Sequence, residues 1–254
     1  KQYDLVPMVT QAIPRLVERG LPFKVIATNQ RYQFSGGGSH LFVAANGPIK
    51  SVADLKGKTI GVTSLNSSGV TATRIVLQSK YNANVALDGG DFKWVEMPLA
   101  VLPTAVQSGR VDAAILSNQQ DYQALHNKNE FRVLVPEGLR DALGVAVPTT
   151  MVISFDDKLK ARPEVFIEAA RMLRESAEYF LKNQDEVFSA SAKGDSGDVA
   201  YMKWYIANYA SIPYDLTKDD FKGMQALWEA SKKLQIVKDA PQVKDVIWER
   251  AVVR

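Results

Sequence analysis

Ser51-Val52-Ala53-Asp54-Leu55-Lys56-Gly57-Lys58-Thr59-Ile60-Gly61-Val62-Thr63-Ser64-Leu65-Asn66-Ser67-Ser68-Gly69-Val70 reads as one complete α/β unit. A short helical turn over residues 51–56 stops at Gly57, the residue type that best adopts the left-handed conformation ending a helix. Ile60 and Val62 then start a buried strand, and the polar run Thr63 to Gly69 leads from that strand into a helix over residues 69–81. A strand followed at once by a crossover helix is the building block of a parallel sheet.

Working outward, the same alternation fills the first two thirds of the chain. Strand-like apolar runs occur at residues 4–8, 23–28, 40–45, 59–63, 92–96, 111–116, 131–135 and 145–153. Helical patterns lie between them at residues 10–19, 51–56, 69–81, 99–108 and 119–127. The run Val111-Asp112-Ala113-Ala114-Ile115-Leu116 is apolar rather than alternating, as expected of a parallel strand buried on both faces. Beyond Pro163, a favoured first helical residue, apolar positions recur at Phe166, Ala169, Ala170, Leu173, Ala177 and Phe180 with the period of one helix face. Further helices are expected at residues 198–209 and 217–234, the latter opening on Thr217-Lys218-Asp219-Asp220, a capping-box-like start.

At 254 residues, with 46% hydrophobic and 23% charged side chains, the chain has the composition of a soluble globular protein and the length of two lobes. Its net charge of +3 is spread thinly. Residues 1–47 hold five bases and two acids, residues 48–141 ten and nine, and residues 142–254 sixteen and seventeen. No basic stripe emerges of the kind that tracks a nucleic-acid backbone, so nucleic acid is not an expected partner. No apolar run reaches membrane-spanning length.

The sequence contains no cysteine, which removes disulfides, thiolate metal sites and thiol nucleophiles together. His40 and His126 show no metal-binding spacing, and no serine sits in a nucleophile elbow, so neither a metal, a cofactor nor a catalytic residue is expected. Asp112, inside an apolar strand, reads as a structural acceptor, while Asp88 and Asp91 flank a Gly-Gly loop. The run Ser35-Gly36-Gly37-Gly38-Ser39 reads as a strand connection that lacks the lysine and helix of a phosphate loop.

The candidate contacts for a ligand lie where strands hand over to helices, because in an open α/β sheet that edge carries the free N–H groups of helix N-termini. Ser64, Asn66, Ser67, Ser68 and Gly69 form the first such junction, with Ser67 or Ser68 equally readable as the helix N-cap. Ser117, Asn118 and Gln119, followed by Gln120, form the second, with hydroxyl and amide groups suited to orienting a ligand without reacting with it. Thr149 and Thr150, after Pro148, form a third candidate that a hinge or a strand start would also explain.

The segment Ile49-Lys50-Ser51-Val52-Ala53-Asp54-Leu55-Lys56-Gly57-Lys58-Thr59-Ile60-Gly61-Val62 resembles the nitrate/sulfonate/taurine-type (NMT1/THI5-like) substrate-binding proteins, a family grouped with thiamine-precursor proteins. Two other segments extend the likeness: Val106-Gln107-Ser108-Gly109-Arg110-Val111-Asp112-Ala113-Ala114 and Gly20-Leu21-Pro22-Phe23-Lys24-Val25-Ile26-Ala27. Coverage runs from about residue 2 to 180. Many relatives carry an acid followed by proline where this chain has Ser117-Asn118, a departure that bears on the ligand class.

The resemblance implies a two-lobed, periplasmic-binding-protein-like (type II) α/β fold with C-terminal helices. Residues 1–47 with 138–254 would form the first lobe and residues 48–137 the second. It further implies a first lobe that lacks its N-terminal part here, with the strands at 4–8 and 23–28 presenting an uncovered edge. The implied function is a non-enzymatic clamshell receptor outside the inner membrane, periplasmic or lipid-anchored through residues before Lys1. Such a receptor holds a small polar or anionic molecule (a sulfonate, nitrate, carboxylate or pyrimidine-like compound) and delivers it to the membrane subunits of an ABC importer. Two alternatives share the fold: an enzyme like those of the menaquinone pathway, and a periplasmic ligand-sensing domain.

Overall fold

A computed structural model of the chain describes residues 3–32, 39–117, 119–192 and 198–253. In chain order the elements are β1 (Val6–Val9), α1 (Ile13–Glu18), β2 (Phe23–Tyr32), β3 (Ser39–Ala44), β4 (Thr59–Val62), α2 (Ser68–Tyr81), β5 (Lys93–Glu96), α3 (Leu102–Gln107), β6 (Ala113–Ser117), α4 (Gln119–His126) and β7 (Phe131–Val135). They continue with α5 (Leu139–Leu143), β8 (Val147–Phe155), α6 (Asp156–Ala161), α7 (Pro163–Lys182), α8 (Gln184–Ala192), α9 (Val199–Asn208), β9 (Ala210–Ser211), α10 (Lys218–Lys233) and α11 (Val243–Val246). The chain divides into two compact units, Lys1–Gln33 with Val145–Arg254, and Phe34–Gly144.

The second unit is built on a five-stranded sheet in the order β5-β4-β6-β3-β7. β4 pairs in parallel with both β5 and β6, as the strand-then-helix pattern requires, whereas β3 runs antiparallel to β6 and β7. β6 stands in the middle, which explains its continuous burial from Ala113 to Leu116. One face packs Phe42, Leu102, Val106, Ala114, Leu116 and Ala124 into a common core. The turn before β4 is a short 3-10 helix, Ala53–Leu55, and Gly57 beyond it has φ +75°, the left-handed conformation for which glycine is suited. Asp112 accepts a hydrogen bond from the Thr59 N–H at 2.9 Å, a structural acceptor joining the starts of two strands.

Unit boundaries differ from those read off the sequence, and the pairing of β3 is the reason. Residues 39–44 belong to the five-stranded sheet rather than to the first lobe, and α5 stays with the same unit by packing on α2.

The first unit holds a four-stranded sheet in the order β1-β8-β2-β9. All its pairings are antiparallel, against the parallel arrangement that the alternating pattern suggested. The crossover β1-α1-β2 does run its two strands in the same sense, but the returning β8 is inserted between them and opposes both. Residues 23–28 pair with β8 on one side, while on the other, among the described residues, only Val25 bridges to Ile247, because β9 reaches β2 only at Arg31 and Tyr32. One side of the sheet is covered by α6, α7 and Trp248, which share a core with Ile26, Ala27 and Val152. α10 packs on β8, and its fully buried Trp228 donates from Nε1 to the Thr10 carbonyl at 2.9 Å. Gly223 allows that close approach: a Cβ there would sit 2.1 Å from the Ala146 carbonyl oxygen.

α10 starts on the capping box expected at Thr217 and Asp220. Asp220 also receives Arg31 from β2 through Nε and Nη2, and Thr28 through its hydroxyl at 3.3 Å. The cap of one helix is therefore also the rivet that fastens it to the sheet. Among the described residues no helix is long and apolar enough to cross a membrane.

Candidate functional site

β4 and β6 run side by side in the same direction, in the register Ile60↔Ala113 and Gly61↔Ala114, so their C-terminal ends reach the same sheet edge. This brings the first two sequence-expected clusters together: the Ser64 to Gly69 junction after β4, and Ser117 with Gln119 after β6. Asn118 lies outside the described residues, as do residues 35–38 of the glycine-rich run. Thr149 and Thr150 belong to the first unit, on β8, where Thr149 Oγ1 donates to the Gln30 carbonyl at 3.3 Å and Thr150 pairs with Val9 and Gln30.

The β4–α2 junction is organised largely by its own bonds. Ser67 is the N-cap of α2, its Oγ accepting from the Val70 N–H at 3.3 Å. Ser64 Oγ accepts from the Asn66 N–H at 3.3 Å, and the Leu65 N–H is taken by the Glu96 carboxylate of β5 at 2.6 Å. One lone pair of each hydroxyl is thus engaged locally, which leaves the O–H donor and a second lone pair for use towards a ligand. Ser68 and Asn66 are exposed on this turn and Gly69 is half-buried.

The β6–α4 junction is organised differently. Gln120 donates from Nε2 to the Leu99 carbonyl at 2.7 Å, tying α4 to the loop after β5, while its buried Oε1 accepts no hydrogen bond. In the first turn of α4, the carboxylate of Asp121 is completely buried and lies 2.9 Å from Nδ1 of His40, which enters from the start of β3. Burial raises the Asp121 carboxyl above the usual carboxylate range, and hydrogen bonding and charge attraction from His40 pull the other way. The His40 ring also meets Phe42 edge-on at a centroid distance of 6.0 Å.

His40, Asp121 and Glu96 are the residues at this edge that motif spacing did not single out as ligand-facing. His40 and Asp121 stand 81 positions apart, and only the insertion of antiparallel β3 beside β6 brings them together. The one usable signal was a histidine opening a strand whose next inward residues, Phe42 and Ala44, are apolar. Among the described residues no group of three or more His, Asp or Glu side chains is arranged to hold a metal ion.

The two junctions make a polar rim of hydroxyls, amides and backbone N–H groups over an apolar sheet, which suits non-covalent recognition of a small polar molecule. Residues 10–187 match the family described as NMT1/THI5 like. The chain belongs to that family. No curated protein matches it significantly. Among solved structures, this NMT1/THI5-like chain is similar to the periplasmic aliphatic sulphonate binding protein SsuA from Escherichia coli, with a TM-score of 0.74, 16% identity, and coverage of 98% of this chain and 80% of that one. It is also similar to the alkanesulfonate-binding protein SsuA from Xanthomonas axonopodis pv. citri bound to MOPS (TM-score 0.71, 18% identity, 96% and 80% coverage). A third likeness is to a putative periplasmic sulfonate-binding protein, SsuA, from Methylobacillus flagellatus (TM-score 0.67, 14% identity, 97% and 72% coverage). At identities this low the likenesses establish a mixed α/β fold of the periplasmic-binding-protein type.

Proposed function

We propose that this chain is the extracytoplasmic solute-binding component of an ABC importer, a non-enzymatic receptor for a small polar or anionic organic molecule that it hands to membrane subunits. Family membership sets the class of protein, and the observation that carries the reading to particular residues is the meeting of the β4–α2 and β6–α4 junctions at one sheet edge. Parallel neighbouring strands deliver two helix starts to the same place, and a ligand there meets converging donors with little reorganisation. Ser64, Asn66, Ser67, Ser68, Gly69, Ser117, Asn118 and Gln119 are the proposed contacts of this unit, with Thr149 and Thr150 those of the other. The Escherichia coli protein is described as periplasmic and sulphonate-binding and the Xanthomonas protein as alkanesulfonate-binding, which supports an extracytoplasmic location and an anionic ligand.

A thermal-shift screen of sulfonates, nitrate, carboxylates, pyrimidines and aromatic acids tests the proposal. A true ligand at 100 times its dissociation constant stabilises the native state by about 2.7 kcal/mol and is recovered chemically unchanged. Conversion of the ligand on incubation, or no stabilisation across the whole panel, would overturn it.

A further inference from the structure

We propose that the cavity between the last turn of α1 and the turn that follows α10 binds a multiply charged phosphate group. It lies within the first unit and does not depend on the solute-binding reading.

The case begins with place. α1 leaves the end of β1 and runs back to the start of β2, so its last residues reach the end of the sheet where Phe23 pairs with Phe155. Thr150, a candidate solute contact, pairs instead with Val9 at the end of β1 and with Gln30 late in β2. The stretch of β2 from Phe23 to Gln30 separates the two places by roughly 20 Å. At the end of α1, the Glu18 carboxylate accepts the N–H groups of Lys238 at 2.7 Å and Asp239 at 3.1 Å, and Arg15 donates from Nη2 to the Ile236 carbonyl at 3.1 Å. Between these bonded segments lies a cavity of about 660 Å³, lined by Arg15, Glu18, Arg19, Lys232, Gln235 and Lys238.

The second step is charge. Of the four cations on that wall, Lys232 is answered by Asp239 at 2.6 Å. Among the described residues, no carboxylate is paired with Arg15, Arg19 or Lys238. Weighed against the single remaining carboxylate, Glu18, these three leave two positive charges along the cavity. Cations near a helix C-terminus are favoured by the helix dipole, and one at each end would serve that purpose. The terminal carbonyls do not call for more. Those of Arg15, Leu16 and Val17 accept the N–H groups of Arg19, Leu21 and Gly20, and those of Ser231 and Lys232 accept Ile236 and Gln235. Arg15 is also half-buried, and a guanidinium partly removed from water with no carboxylate beside it carries a cost that a bound anion offsets.

The third step is the donor set. Gln235 has φ +56°, in the turn position after a helix where glycine is the unstrained choice. Glutamine occupies it at a conformational cost and brings a side-chain amide donor to the cavity wall. Arg15 and Arg19 stand one helical turn apart on α1, and their planar forks match the paired oxygens of a phosphate, while Lys232 and Lys238 add point charges. A phosphate dianion answers both unmatched charges, whereas a chloride or a carboxylate answers one. A concave wall reaches around a projecting phosphate better than it meets a flat bilayer, which favours a small phosphorylated molecule over a lipid headgroup.

The test is calorimetric titration of the full chain with inorganic pyrophosphate at pH 7.5, beside co-sedimentation with phosphatidylcholine vesicles that contain or lack phosphatidic acid. Pyrophosphate should bind with one-to-one saturation. The double variant Arg19→Gln/Lys238→Gln should weaken that binding by about tenfold or more and leave the melting temperature unchanged, because both side chains are exposed and neither holds a carboxylate. Lys80→Gln/Lys93→Gln removes the same charge from exposed positions on the other unit and should keep wild-type affinity. Binding to phosphatidic acid vesicles without binding to pyrophosphate, lost in Arg19→Gln/Lys238→Gln alone, would support the phosphate site and assign the phosphate to a lipid headgroup. Binding of neither probe, an equal loss in the two double variants, or no loss in Arg19→Gln/Lys238→Gln would overturn the proposal.

Discussion

Each unit contains one buried carboxylate that reaches from a helix to a strand, and the two are used in opposite ways. Asp220, at the start of α10, is saturated: Arg31 Nε and Nη2, the Thr28 hydroxyl, and the N–H and hydroxyl of Thr217 all point at it. Its main partner is a guanidinium that never loses its charge. Asp121, in the first turn of α4, meets the ring of His40 at 2.9 Å instead, and its burial raises the carboxyl above the usual carboxylate range. A permanent ion pair inside a capping box holds a helix in place, whereas at Asp121 burial outweighs the partner and makes the charge of the group depend on pH.

Breaking the permanent pair should have the largest effect. Asp220→Ala leaves the part-buried Arg31 with only the Asp215 carbonyl and removes the capping box, and should cost about 3–5 kcal/mol in urea unfolding. A loss below about 1 kcal/mol would mean that the network is not holding α10 on the sheet.

At the candidate site the effects are smaller and divide between stability and binding. Ser67→Ala removes the N-cap of α2 and should lower stability by about 1 kcal/mol. It should also weaken ligand binding about five- to a hundredfold by calorimetry, through loss of a hydrogen-bonding group that the ligand would cover. Ser68→Ala, one residue on and exposed, should leave stability within about 0.5 kcal/mol of wild type while still weakening binding. Wild-type affinity in both variants would remove this junction from the site.

Asp121→Asn sharpens the contrast through pH. Burial raises the Asp121 carboxyl, so over a range above its unfolded value the native state holds a proton that the unfolded state has released. Stability contributed by that group is complete below the unfolded carboxyl value and is lost as pH rises through the raised one. Wild type should therefore lose stability relative to Asp121→Asn as pH rises from about 4 towards neutrality, followed by thermal melting at each pH. An unchanging difference between the two would contradict the assignment of Asp121 as a titrating buried group.

The elements themselves were largely legible. The helix over residues 69–81 and its serine cap, the stop at Gly57, the start at Pro163 and the capping box at Thr217 were readable because each depends on residues within one turn of one another. The central strand at Ala113–Ser117 announced itself by unbroken apolarity. What could not be read depends on contacts distant in sequence: the insertion of β8 between β1 and β2, the recruitment of β3 into the second sheet, and the meeting of His40 with Asp121. Apolar alternation says that a strand has buried neighbours and is silent about their direction. The hydroxyl-rich junctions stood out locally, yet the histidine that meets the buried Asp121 came from another strand.

The most direct measurement is hydrogen exchange of the full chain with and without the tightest binder from the screen. Protection on binding should concentrate at residues 64–70 and 117–121, where the two junctions share an edge, with the N–H groups of Ser68, Gly69 and Gln119 slowed most. Protection confined to other parts of the chain, with both junctions exchanging as fast as in the free protein, would contradict a ligand site at this edge.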